Sequence, residues 1–475
     1  MDRDYDVIVV GGGGAGMSAA LTANAAGARV LIAEADSELG GSTALSGGAI
    51  YAAGTSVQRA AGIEDTADAM FEYYMTINQY RVEPSLARRL CDNGAANVDW
   101  LMSLGVEYQP EPNCGGVESV PRSHWPLEKG AGVATALEAA ISRSENIDVV
   151  LKCRVQKLLM DDDGSCIGIH AQGEPVTAGA VAITTGGFGA NRNLLHKHYP
   201  DAAGNGDDWS WYIGNPNNVG DGLVMAQDVG ADITGHNRGL LLTTAGFGQD
   251  LEVFMPGWLL YINREGRRFI KETAAYGVMS GVIKAQTGGT CFAVFDEGCR
   301  ATAEPSIQVA AAVKAGAVST SWVPDRLNEE IKKGKIKKAD TLEELSAIMG
   351  IAPGALQATV DNYNVDVDAG GDRTFFKPHS EMRRIEKAPF YAVELRPAII
   401  CLTSTGLRID RDARVLGKDE RPIPGLYCGG ETAGGVFGER YIGSGNSVAN
   451  AIGFGRIAGQ SAADYGVRQA KPATS

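Results

Sequence analysis

No C-x-x-C pair occurs anywhere in these 475 residues. The eight cysteines (Cys91, Cys114, Cys153, Cys166, Cys291, Cys299, Cys401 and Cys428) are scattered, which excludes the usual zinc and iron–sulfur spacings, a haem-attachment C-x-x-C-H and a disulfide framework. No metal site is expected, and a reducing compartment is. Nor is there a run of about eighteen apolar residues able to span a bilayer. A strand-like run begins at Asp4 and leaves no room for a signal peptide, so a soluble, cytoplasmic protein is expected. Positive charge is also scarce: 43 Lys and Arg against 57 Asp and Glu give a formal net charge of -14. The only basic cluster, Lys332 to Lys338, reads as a solvated helix face, so no nucleic-acid partner is expected.

What the chain has in abundance is glycine, 62 residues and about twice the usual share. They fall in clusters, as they must where backbone turns sharply or lies close against a large ligand. An apolar fraction of 44% suits packed globular structure, and the length predicts two domains rather than one core.

The run Asp4-Tyr5-Asp6-Val7-Ile8-Val9-Val10 reads as a buried parallel strand. Gly11, Gly13 and Gly16 fill a G-x-G-x-x-G pattern directly after it, with Gly14 and Ala15 inside the loop. A helix is predicted over Met17–Ala26, stopped by Gly27, and a second strand over Arg29–Ala33 delivers Glu34. In this order the glycines let a pyrophosphate sit on the helix N-terminus, and the acid accepts hydrogen bonds from adenosine ribose hydroxyls. An acid there disfavours the 2′-phosphate of NADP. The small-residue segment Gly40–Gly48, which includes Gly41, Ser42, Thr43, Ser46, Gly47 and Gly48, makes room for a flat ring and points to FAD rather than NAD. It contains no histidine, so the flavin is expected to be held non-covalently.

Together these segments resemble the fumarate reductase and 3-ketosteroid dehydrogenase flavoprotein family, and the similarity runs through most of the chain. Ala180–Asn191, with Gly186, looks like its strand returning to the cofactor, and Gly220-Asp221-Gly222 looks like its T-G-D-G element. Tyr261–Glu272 is similar to its cap segment; Pro424–Glu431 and Gly443–Gly459 look like its closing strand and helix. The resemblance implies an α/β fold: a Rossmann-like, glutathione-reductase-type FAD domain with a parallel sheet, over 1–205 and 386–475, and an inserted α+β capping domain over 206–385. It also implies cofactor contacts at Val155, Gly186, Asp221, Glu431 and the helix start Asn446-Ser447-Val448, where backbone N–H groups meet the flavin. Independently, Thr341–Asn364 reads as amphipathic helices around a Pro353-Gly354 break.

Three positions choose a branch within the resemblance. Tyr276 stands where the dicarboxylate reductases carry a proton-delivering arginine. The stretch Ile400–Leu407 has Leu402 and no histidine where those reductases bind a substrate carboxylate, and an unpaired buried carboxylate is costly. Tyr441 and, four residues on, Gly445 match the pair that in the ketosteroid branch offers a phenol O–H and a backbone N–H to a ketone oxygen. The implied reaction is α,β-desaturation of a cyclic ketone, with Tyr276 as base, Tyr441 and Gly445 as oxyanion donors, and an unknown electron acceptor. The alternative is an ene-reductase of an unsaturated acid, for which Arg440 is a candidate carboxylate ligand. His124 reads either as a pocket residue or as a satisfied core histidine. Tyr108, Trp125, Trp209, Trp211 and Trp258 line a slot or belong to the core.

Overall fold

The computed structural model describes residues 3–206, 208–249, 255–306, 310, 314 and 320–470. The chain forms two compact units, one comprising 1–204, 212–240 and 400–475, the other 205–211 and 241–399. Residues 212–240 thus fall with the first unit, because Ile233 and Thr234 pair with Leu407 and Gly406. Residues 386–399 fall with the second, where Phe390–Leu395 pairs with Cys291–Asp296.

The first unit is organised by strand β1 (Tyr5–Val10), whose last four residues are buried. Helix α1 (Gly14–Ala25) follows it, then β2 (Val30–Ala33). Strand β1 lies between β2 and a distant strand, with β3 (Ile147–Val150) beyond β2; β4 (Glu174–Ile183) flanks its other side and β5 (Pro422–Cys428) completes the parallel run. The register places Val7 opposite both Val30 and Ala180. A strand covered on both faces reads as continuous Val-Ile-Val-Val, which is why the sequence shows no alternation here.

Helix α1 begins at Gly14, three residues ahead of the Met17 expected from the sequence. Gly16, the last motif glycine, lies inside the helix because the helix start packs hard on the turn below it: a Cβ there would stand 1.8 Å from the Gly11 carbonyl oxygen. The long helix α2 (Asn446–Ala470) lies against α1 through the same device. A Cβ on Gly455 or Gly459 would come within 2.4 and 2.1 Å of the carbonyl oxygens of Ala15 and Ala19. These backbones touch where other helices would be held apart by side chains.

The second unit is built on an antiparallel sheet in which Cys291–Asp296 lies between Leu260–Ile262 and Phe390–Leu395. Its core stacks Phe295 on Tyr391, with ring centroids 5.3 Å apart, beside Trp258 and Trp322. Helices Leu342–Met349 and Ala355–Asp368 flank the Pro353-Gly354 break, as the periodicity predicts. Beneath them lies a buried ionic group. Arg268 meets Glu272 and Asp372 at 2.7 Å each, and the wholly buried Lys377 meets Glu272 at 3.2 Å. Two cations and two anions neutralise one another there, the condition under which charges tolerate burial.

The basic stretch does not form a helix face. A helix ends at Lys332, Gly334 turns the chain at φ +72°, and Lys337–Ala339 continues as a strand. Lys335 lies half-buried over the Trp209 ring at 3.9 Å. Among the described residues, no helix is long and apolar enough to cross a membrane.

Candidate functional site

A cleft in the first unit opens at the carboxyl ends of the parallel strands, lined by Val10, Ala33, Thr184 and Gly430 among others. This is where open α/β sheets take ligands. Gly11, at φ +100°, turns the chain beneath it. Helix α1 presents an N-terminus with no side-chain cap on Gly13 and no acid in its first turn, and Gly13, Gly14 and Ala15 face the cleft. A Cβ on Gly13 would meet nothing closer than 3.9 Å and so would project into the ligand space. Uncapped amides and the positive helix end make this an anion seat. Glu34 stands on the same wall; its Oε2 accepts the Gly12 N–H at 2.5 Å and its Oε1 the Asp36 N–H at 2.7 Å. A carboxylate has about four acceptor positions, so capacity remains for hydroxyl groups.

Gly41, Ser42, Thr43 and Ser46 line the facing wall as a short helix, Gly41–Leu45, entered through Gly40 at φ +116°. Gly47 and Gly48 face the protein instead. A Cβ on the first would strike the Trp125 ring at 2.7 Å, and one on the second the Gly130 amide at 2.5 Å. Gly16 likewise serves the strand–helix contact. Val155, Gly186 and Asp221 line the cleft, with Asp221 ion-paired to Arg154.

At the other end of the cleft Glu431 is half-buried, its Oε1 accepting both the Thr403 N–H at 2.8 Å and the Thr403 hydroxyl at 2.9 Å. Burial pushes its carboxyl up to about 7 against the pull of the Thr403 hydrogen bonds. Gly187 makes this possible, since a Cβ there would lie 2.2 Å from Glu431 Oε1. Ser447 and Val448 open helix α2 onto the cleft, again with no acid in the first turn. Asn446 turns inward and donates to the Tyr74 hydroxyl at 3.0 Å. Asn450, also cleft-lining, keeps a buried Oδ1 that no protein group satisfies, an acceptor suited to a ligand N–H or O–H.

Tyr441 and Gly445 come together at this helix start. The Ser447 N–H donates to the Tyr441 phenol oxygen at 3.0 Å, the Ser447 hydroxyl lies 3.1 Å from it, and the Gly445 amide bonds it too. The amide expected on a substrate oxygen is therefore directed at the phenol, an orientation set by the Gly445 backbone at φ +100°. Burial raises the phenol to about 12, so it is a proton-bearing donor at neutral pH.

Tyr276 belongs to the second unit, as the first residue of helix Tyr276–Lys284. Arg440 is half-buried and gives its backbone N–H to Asn78 Oδ1 at 2.8 Å. His124 is a satisfied core residue: Nδ1 lies 2.8 Å from the Arg122 carbonyl, Nε2 lies 2.8 Å from the Thr55 hydroxyl, and burial lowers its pKa. Trp258 is core, while the Trp209 ring packs against both the Lys335 ammonium and the Arg396 guanidinium, at 3.9 and 4.4 Å. Asn215, Asn217 and Asn218 line the cleft without having been anticipated. Their only trace in the sequence is an Asn-Pro-Asn-Asn run just ahead of Gly220-Asp221-Gly222.

An uncapped glycine-lined helix end, an acid two strands into the fold, and a second helix end beside an unsatisfied Asn450 oxygen fit a dinucleotide carrying a flavin. The comparisons agree. Over 97% of its length this chain is 33% identical to the fumarate reductase (cytochrome) of Shewanella frigidimarina, covering 77% of that protein. It is 31% identical to the urocanate reductase of Eggerthella lenta, over 98% of this chain and 75% of that one. Among solved structures, the 3-ketosteroid Δ4-(5α)-dehydrogenase of Rhodococcus jostii RHA1 matches with a TM-score of 0.78 and 27% identity, over 98% of both chains. The family model described as the FAD binding domain matches residues 6–448, and the chain belongs to that family and takes FAD as its cofactor.

Proposed function

We propose that this flavoprotein oxidoreductase introduces an α,β double bond into a cyclic ketone, a 3-oxosteroid or a smaller cyclohexanone-type ring. The observation that carries the reading is Tyr441: a neutral phenol, fixed by two backbone amides at the positive end of helix α2. Such a donor suits a carbonyl oxygen that gains negative charge as its α-proton leaves, because the charge-stabilising group is in place before the reaction starts. Bound FAD supplies the two-electron oxidant for the hydrogen removed from the β-carbon. Tyr441 donates to the ketone oxygen, Gly445 and Ser447 hold the phenol in position, and Tyr276 takes the α-proton.

The Ile400–Leu407 stretch favours a ketone over a dicarboxylate. Leu402 lines the wall where a carboxylate-binding histidine would be needed. The Rhodococcus dehydrogenase supports the same substrate class. A second reading, reduction of an unsaturated acid, draws on the fumarate and urocanate reductases among the sequence relatives. Anaerobic mixing of the oxidised holoenzyme with a panel of cyclic ketones and saturated dicarboxylates decides between them. Bleaching of the yellow flavin by a ketone is the expected result. No bleaching by any ketone, together with reoxidation of pre-reduced enzyme by an unsaturated acid, establishes the second reading instead.

A further inference from the structure

The segment from Ile213 to Asn218 runs through the first unit between Tyr212 and the turn at Gly220. Ile213, Gly214, Asn215, Asn217 and Asn218 all face the FAD cleft. Its hold on the opposite wall is concentrated on two side chains. Asn215 and Asn217 donate to the same oxygen of Asp36, Oδ2, at 3.4 and 3.1 Å. The Asn215 backbone N–H and the Asn218 amide reach Ser42 Oγ at 2.9 and 3.1 Å. Asp36 stands two residues past Glu34, and Ser42 opens the facing wall, so the segment bridges the two elements that border the nucleotide end of the cleft.

Within itself the segment is stiff. Pro216 fixes one φ angle, the Asn217 N–H bonds Asn215 Oδ1 at 2.7 Å, and the Asn218 N–H bonds the Asn215 carbonyl at 3.0 Å. Its near end is anchored by Arg154, which reaches Asn217 Oδ1 at 2.7 Å and pairs with Asp221. Yet Ile213, Gly214, Asn215 and Asn217 are only half-buried, and Pro216 is exposed. A stiff segment fastened across a cleft by polar contacts can part from the far wall as a body, because those contacts exchange for water at small net cost.

We propose that residues 213–218 form a strap closed over the nucleotide cleft, and that Asp36, clasped by Asn215 and Asn217, sets how fast FAD enters and leaves. The clasp holds its charge, since hydrogen bonds from the Ser37 N–H and Asn215 keep the Asp36 carboxyl below its ordinary value. A clasp and a cofactor contact differ in kinetics. Loosening a clasp lowers the barrier in both directions, whereas losing a contact speeds escape alone.

The test uses full-length protein: wild type, Asp36→Ala and Asn217→Ala. Release is read as the rise in FAD fluorescence when holoenzyme is mixed with excess of an FAD analogue, and entry as the quenching of FAD added to deflavinated protein. Both rates should rise about tenfold in Asn217→Ala, the size expected for losing one hydrogen bond to a charged group, and at least as much in Asp36→Ala, which loses two, with the dissociation constant within about threefold of wild type. The double variant should be little faster than Asp36→Ala alone, because Asp36→Ala already removes the Asn217 bond to this carboxylate along with that of Asn215. Faster release with an equal loss of affinity would make Asp36 a cofactor contact and overturn the proposal. Unchanged release in both variants also overturns it. Asn217→Ala reads the clasp from the other side if Asp36→Ala does not fold.

Discussion

Tyr441 and Ser447 meet across the first turn of the C-terminal helix, with the Ser447 amide 3.0 Å from the phenol oxygen and the two hydroxyls 3.1 Å apart. The tyrosine thus acts as an extension of the helix end: the positive potential of the terminal amides reaches outward through a side chain that also carries a proton.

Tyr441→Phe removes that proton and leaves the ring in place. Flavin reduction at saturating ketone should slow by about 10²–10³, the usual cost of one such donor. Tyr276→Phe should slow the same step further, as expected of a base, and both variants should retain a normal flavin spectrum. Because the Tyr441 phenol is pushed up to about 12, the wild-type rate should show no alkaline loss from this group below about pH 11. Stopped-flow absorbance across pH reads all three. Wild-type rates in both variants would falsify the assigned roles and shift attention to Arg440.

Gly445→Ala tests the turn that presents the phenol. At φ +100° a side chain is strained, and its Cβ would lie 2.8 Å from the carbonyl carbon and oxygen of Ala49. A loss of about 2 kcal/mol or more is expected in chemical denaturation, together with a lower turnover number in whatever fraction keeps flavin.

Glu431 predicts a pH-dependent stability. Its folded value, about 7, is raised from 4.5, so the folded state binds this proton more tightly than the unfolded chain does. Stability from this group is full below about pH 4.5, declines as pH rises through about 7, and is absent above. Melting of FAD-free protein at several pH values should show this decline in wild type and a flatter profile in Glu431→Gln. Parallel curves would show that the carboxyl does not titrate there.

In the second unit, Lys377→Met leaves Glu272 with one cation instead of two. The melting temperature should fall, with a destabilisation of about 3 kcal/mol from the broken buried pair, while the FAD content of the first unit is retained. An unchanged melting temperature would mean that the Lys377 charge is not needed to compensate Glu272.

How far the sequence could be read depended on the range of the interactions concerned. The strand at Tyr5–Val10, the glycine turn and Glu34 were legible because their chemistry is local: one strand, one turn and one helix end carry it. Helix α1 starts earlier than its pattern suggests, since the demand on Gly16 comes from the Gly11 carbonyl and not from helix propensity. Gly47 and Gly48 belong to a recognisable small-residue run, yet they are small because Trp125 and Gly130 press on them. Asn215 and Asn217 could not be found at all from their neighbours, because their partner Asp36 is about 180 positions away in sequence. Nothing local marks the Asp36 carboxylate as an anchor.

The glycine faces of α1 and α2 also bear on how the protein comes into being. Helix α1 leaves the ribosome more than 400 residues ahead of α2, so the Ala15–Ala19 backbone waits that long for Gly455 and Gly459 to cover it. Domains generally assemble as units, N-terminal parts first, but this one cannot. A chain halted before Asn446 has the Gly13–Gly14 wall of the cleft and lacks the Ser447–Val448 wall, so it is expected to hold FAD poorly until α2 is made.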